Sequence, residues 1–281
     1  MLGLAHMEMK SPPPFRSKFN SNSGNDIDYN MINPLSPDGS NFPCKGYESL
    51  LSTPEGAAVR TWGAGTTQTV TLSGGAIHGG GSCQFSLSYD KGATWRVIHS
   101  IIGNCPSATG ESNYPVPIPA DMPSSQEVLF AWTWYNKIGN REVYGNCAHV
   151  VIQGNTDMNA ASSALAALPD IFRANMGNGC KVDEGVDVAF PNPGSSVVKN
   201  TQGQAPSGSC GPVSKASSSN SGINSNAAAG TDADSADTSA TGTALGNDWP
   251  SWFTADGFAL CPNIVGAVSL CVLASLLIMR V

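Results

Sequence analysis

One run limits what this chain can fold into more than any other: EVLFAWTWYN at Glu127–Asn136. It is almost continuously apolar, and much of its bulk is aromatic or β-branched. A strand wetted on one face alternates apolar and polar residues; a strand covered on both faces does not. The run therefore predicts a central strand with cover on both sides. Segments around it do alternate. TTQTVTLSG from Thr66 is rich in Thr and Val, CQFSLSYD sets Phe85, Leu87 and Tyr89 on one face, and TWRVIHSII does the same with Trp95, Val97 and His99. Asp90-Lys91-Gly92 is a turn signal between the last two. Lys137–Asn140 turns the chain after the central run, and YGNCAHVVIQ at Tyr144–Gln153 follows as the next strand. Pro115, Pro117 and Pro119 predict an extended connection, Asn20–Gly39 reads as loop, and Asn159–Phe172 predicts a short helix on the rim. The expected fold is all-β: a two-sheet antiparallel sandwich, immunoglobulin-like or fibronectin-like, with long loops.

The cysteines set the compartment. Cys44, Cys83, Cys105, Cys147, Cys180 and Cys210 are spread through the chain with no CxxC pair. That spacing disfavours a zinc ribbon or a thioredoxin-type site and suits a disulfide set in an exported protein. Cys83–Cys105 is the favoured local bridge, because the intervening sequence reads as a hairpin; the other pairings stay open. A net charge of −7 argues against nucleic-acid binding. It suits a neutral polymer, held by stacking and hydrogen bonds.

His78 stands in the frame GGAIHGGG, bounded by Gly74, Gly75, Gly79, Gly80 and Gly81. Such a frame presents a side chain instead of packing it. The plain alternative is a histidine in a glycine-rich turn. His6 follows the small residue Ala5. If the chain is cut there, His6 becomes the first residue and offers two nitrogens, its amine and its imidazole. With His78 that makes three neutral nitrogens, a planar set suited to Cu(II). His99 and His149 lie on strands and read as structural. No HExxH or GxSxG pattern points to zinc or serine chemistry.

HMEMKSPPPFRSKFN at His6–Asn20, AIHGGGSCQFSLSYD at Ala76–Asp90, WTWYNKIGNREVYGNCA at Trp132–Ala148 and NMGNGCKVDEGVDVAFPNPG at Asn175–Gly194 resemble the fungal chitin-active lytic polysaccharide monooxygenases of auxiliary activity family eleven. The resemblance covers roughly His6 to Gly194. It implies one copper ion held by His6 and His78, with Tyr144 at the axial position. It implies Glu142 beside the metal, orienting oxygen species and protons, and Ala76 limiting the solvent-facing side. Taken alone, Tyr144 reads as a strand tyrosine capping the core, Glu142 as a solvated turn residue and Ala76 as an ordinary alanine. The resemblance further implies oxidative cleavage of glycosidic bonds in chitin, with O2 or H2O2 and an external electron donor. The sequence by itself does not separate chitin from cellulose, and a monomer is expected. A non-catalytic copper-binding surface protein of the same fold is the alternative, and an adhesive wall protein is a third.

The ends differ in character. Met1–Ala5, MLGLA, has the look of a signal-peptide remnant, too short to be a whole one. After Gly194 the composition turns to Ser, Ala, Gly, Asn and Thr, and residues 195–246 read as a disordered linker. Cys210 sits in its early part, which leaves room for the domain to reach about residue 212. Ile264–Met279 closes the 247–281 tail with an apolar run, expected to be a glycolipid-anchor signal, with a membrane anchor or a reading-frame extension as alternatives. Export to the outside or to the cell surface follows.

Overall fold

The computed structural model describes residues 6–211; the 1–5 stretch read as a signal-peptide remnant, the part of the expected linker beyond Gly211 and the 247–281 tail lie outside the described residues. In chain order the strands are β1 (Met7–Ser11), β2 (Arg60–Gly63), β3 (Thr67–Gly74), β4 (Gly81–Ser88), β5 (Arg96–Ile102), β6 (Gly110–Pro117), β7 (Ser125–Asn136) and β8 (Val143–Gln153). The helix α1 (Met158–Ala167) and the short strands β9 (Cys180–Lys181), β10 (Val197–Lys199) and β11 (Ser207–Gly208) complete them. One sheet runs β1-β3-β6, the other β10-β5-β4-β7-β8-β2, and β9 pairs with β11. The protein is an all-β sandwich.

β7 lies inside the larger sheet, and its two faces explain its sequence. Val128, Phe130, Trp132 and Trp134 enter the core between the sheets, with Phe85 and Leu87 of β4 and Val70 and Leu72 of β3. The alternate residues Leu129 and Ala131 pack under Phe15, Leu51 and the Cys44–Cys147 bridge, and Tyr135 packs with Phe172 and Phe190. Loops thus cover the outer face that would otherwise alternate with polar residues. Each large side chain so buried contributes on the order of 1.5–3 kcal/mol.

Several elements differ from the sequence reading. The Pro115–Pro117 region is no mere connection: β6 pairs antiparallel with β3 along its whole length, Thr69 opposite Pro115 and Thr67 opposite Pro117. β6 is an edge strand, where a missing N–H costs nothing in the ladder. The antiparallel core of the large sheet is closed by two parallel edges, β2 on β8 and β10 on β5. β10 falls inside the 195–246 stretch read as linker. The domain continues past Gly194 because Val197–Lys199 finds the free edge of β5 and Cys180 bridges Cys210. The helix stops at Ala167, capped by Asp157 at its start; Leu168 before Pro169 is extended. Cys83 bridges Cys105. Among the described residues, no helix is long and apolar enough to cross a membrane.

Candidate metal centre

Three separate pieces of chain meet at one end of the sandwich. β1 pairs with β3 so that Met7 faces Gly74, and the Gly75 N–H donates to the His6 carbonyl at 3.1 Å. That pairing carries His6 to the end of β3. An α-carbon side chain at Gly74 would stand 2.0 Å from the His6 carbonyl oxygen, so only glycine allows this approach. Four residues on, His78 adopts φ 45, followed by Gly79, Gly80 and Gly81 at φ 72, 86 and 121. A left-handed histidine followed by glycines is a tight reversal, and it turns the imidazole out of the strand path. The β7–β8 loop supplies the third piece. Its Ile138 N–H donates to the His78 carbonyl at 2.8 Å.

The imidazole centroids of His6 and His78 lie 5.1 Å apart. Ring nitrogens of both, with a Glu142 carboxylate oxygen, fall within 4.8 Å of one another, and all three residues are half-buried. Tyr144 is fully buried beneath them, its ring 5.2 Å from His6 and 6.4 Å from His78. The Tyr144 hydroxyl donates to Glu142 Oε2 at 2.5 Å. Ala76 is half-buried on the segment linking Gly74 to His78.

Electrostatics favour a metal. Burial holds the His6 imidazole below the usual histidine range, and the nearby His78 adds to the effect against an opposing pull from Glu142. A neutral imidazole is the ligating form. Burial pushes the Tyr144 phenol up, and its hydrogen bond to Glu142 pushes it further. Two imidazoles and a carboxylate brought together, one imidazole held neutral, are a donor set that fits a borderline cation such as copper.

Other residues about the site escaped the sequence reading. Trp134, opposite Tyr144 in the β7–β8 register, stacks on it at 4.5 Å between centroids and lies 6.0 Å from His78. Its indole N–H donates to the Gly80 carbonyl at 2.9 Å, tying the glycine turn to β7. Arg141 donates to the carbonyls of Asn136, Lys137, Gly139 and Asp183, which stiffens the loop ahead of Glu142. Met9 N–H donates to Asn146 Oδ1 at 2.7 Å, locking β1 to β8 across the sandwich. His99 and His149 sit apart from this cluster. His149 uses both ring nitrogens on the carbonyls of Gly56 and Gln126, and His99 Nδ1 bonds Ser196 Oγ.

No protein-family model matches the chain. Individual relatives do. The chain is 53% identical over 190 residues to AA11 family lytic polysaccharide monooxygenase A of Aspergillus fumigatus, covering 67% of this chain and 83% of that protein. It is 38% identical over 217 residues to AA11 family lytic polysaccharide monooxygenase B of A. fumigatus, and 37% identical over 223 residues to an AA11 family lytic polysaccharide monooxygenase of Aspergillus oryzae. Those matches span 69% and 70% of this chain and 49% of each of the two relatives. With an all-β sandwich and 53% identity along most of a relative, the chain belongs to the AA11 family of lytic polysaccharide monooxygenases, which are copper-dependent oxidoreductases.

Proposed function

We propose that this chain oxidatively cleaves chitin at a single copper ion held by His6 and His78, with Tyr144 and Glu142 beside it. The observation that carries the reading is the meeting of His6, His78 and Glu142 within 4.8 Å. Strand pairing, a left-handed turn and a hairpin loop each bring one of the three. His6 supplies its imidazole and, once the chain is cut after Ala5, its α-amine; His78 supplies a second imidazole. The chemistry copper supplies when bound is one-electron activation of O2 or H2O2 with electrons from an external donor, ending in oxidation of a carbon of the glycosidic linkage.

The chain's own groups do the rest. Glu142 holds a carboxylate oxygen at the mouth of the site, where it orients water or an oxygen species and accepts or returns a proton. Its bond from Tyr144 fixes that carboxylate. Trp134, beneath Tyr144, keeps water from the inner side of the histidine pair. Ala76, half-buried between Gly74 and His78, limits the solvent-facing side. Three disulfides support export, and export fits a polymer too large to enter a cell. A monomer attached to the cell surface through the C-terminal tail completes the proposal. The test is copper calorimetry followed by incubation with chitin and ascorbate, with products read by mass spectrometry. Oxidised chitooligosaccharides support the reading; tight copper binding without oxidised products refutes the substrate.

A further inference from the structure

We infer that Tyr29 and Ile138 are the apolar contacts that hold the polysaccharide chain beside the histidine pair, with Tyr29 as a stacking platform for a sugar ring. The inference rests on the proposed reading of His6 and His78 as the metal-holding pair. Among the described residues, four large hydrophobic side chains stand exposed: Tyr29 at 79%, Ile138 at 54%, Met158 and Val198. Two of these four flank the two histidines. Met158 opens the rim helix, and Val198 lies on the outer strand β10.

Tyr29 lines the same groove as His6, a cavity of about 560 Å3 that also takes in Met31, Ile32 and Gly74. Its backbone is held on both sides. The Asp28 carboxylate accepts from the Asn30 N–H at 2.8 Å and from the Tyr47 hydroxyl at 3.0 Å, and Met31 is buried against Asn146. A ring so exposed on so fixed a backbone gains nothing from the fold itself. Ile138 is held in another way. A side chain at Gly79 would meet Ile138 Cδ1 at 2.7 Å, so Ile138 lies over a bare α-carbon next to His78, and its N–H is bonded to the His78 carbonyl.

The chemistry of the groove selects the occupant. Most of its charges are paired off, Lys18 with Glu8 at 2.7 Å and Glu111 with Lys10, and the remaining carboxylate, Asp28, is held by the Asn30 N–H and the Tyr47 hydroxyl. Paired charges offer little to a charged ligand and much to hydroxyls and amides. An aromatic face with a polar, neutralised rim matches a β-linked sugar, whose ring presents an apolar C–H face bounded by polar groups. A crystalline polymer presents a row of such faces in one plane, within reach of exposed side chains and not of a closed pocket.

The experiment is a sedimentation isotherm on β-chitin and on microcrystalline cellulose, using the full chain from His6 onward with and without copper. Tyr29→Ala and Ile138→Ser should each raise the half-saturating concentration by about fivefold or more, the effect of losing one stacked or packed group, while Tyr29→Phe stays within about twofold. Thermal melting and copper affinity should match the parent in all three. Parental polymer binding by a Tyr29→Ala, Ile138→Ser double variant overturns the inference. A parent that binds neither polymer overturns it as well. A parent that binds cellulose but not chitin, with the variants weakened on cellulose, supports the inference and refutes the chitin reading instead.

Discussion

Gly74→Ala isolates what the β1–β3 pairing does for the site. The new Cβ would stand 2.0 Å from the His6 carbonyl oxygen, 2.9 Å from its carbon and 2.8 Å from Met7 Cα. All three are backbone atoms, so no rotamer change relieves the contact. Relief needs a separation of roughly 3.5 Å, a displacement of about 1.5 Å shared between β1 and β3. The end of β1 yields more readily than β3, which is paired on both sides. Its movement breaks the Gly75 to His6 hydrogen bond and carries the His6 nitrogens away from His78 and Glu142. Overpacking of this kind costs about 1–3 kcal/mol, worth roughly 2–4 °C in melting temperature per kcal/mol at this size. The larger effect falls on the site, where a misplacement near 1 Å costs about 100-fold in activity. Copper affinity by calorimetry should fall by about 10–100-fold, with circular dichroism unchanged. Gly177→Ala is the control: its added Cβ meets nothing within 4 Å, so any cost comes from the left-handed backbone at φ 70 and copper affinity stays parental. Parental copper affinity in Gly74→Ala would refute the reasoning that β1 pairing sets the position of His6.

His78→Ala should abolish tight copper binding while leaving the melting temperature of the copper-free protein within a few degrees, since His78 is half-buried in a turn; calorimetry and a thermal melt check both halves. Glu142→Gln should keep copper and lower oxidative turnover by about 10–100-fold, read as oxidised product per minute, because the neutral amide no longer takes a proton. A form starting at Met1 should bind copper far more weakly than one starting at His6, since an amide nitrogen between Ala5 and His6 is a poor ligand; side-by-side titrations decide, and equal affinities would sink the proposed ligand set. Burial holds His99 below its ordinary value of 6.5. The unfolded chain therefore takes up that proton at a higher pH than the folded chain, and stability should fall as pH drops from about 6.5 downward. Urea melts of the copper-free protein at pH 7.5 and 5 measure the loss, and His99→Phe should reduce it, leaving the part owed to His6, which burial also holds low.

The central strand was legible because β7 carries its burial in its own composition: both faces are covered, and both faces are apolar. The β4–β5 hairpin was legible from its alternation and its Asp90 turn. His6 and His78 were singled out by their ligand chemistry, and Ala76, Glu142 and Tyr144 only by the family resemblance; the β1–β3 pairing that carries His6 to the end of β3 joins residues distant in sequence. What escaped was set by partners distant in sequence. β6 reads as a proline-rich connection until β3 gives it a ladder. β10 is only three residues long in a Ser-rich stretch, and its strand character comes from the open edge of β5. Tyr29 sits in a segment rich in Asn, Ser and Asp, where nothing local says that its ring faces the groove of His6.

The Cys180–Cys210 bridge has a mechanical consequence. Cys210 lies one residue before the last described position, and its sulfur ties it back across 30 residues of sequence. A pull transmitted through the chain beyond Gly211 arrives first at that covalent link. It passes through the two sulfurs to Cys180, whose carbonyl accepts from the Asn175 N–H at 2.9 Å, and the loop holding β10 and β11 is bypassed. The three-residue pairing of β10 with β5, which would unzip one bond at a time under tension, carries no load while the bridge is oxidised. Reducing the bridge moves the same load first onto the two-residue pairing of β11 with β9 and then onto β10, so a single redox event converts a riveted edge into one that peels.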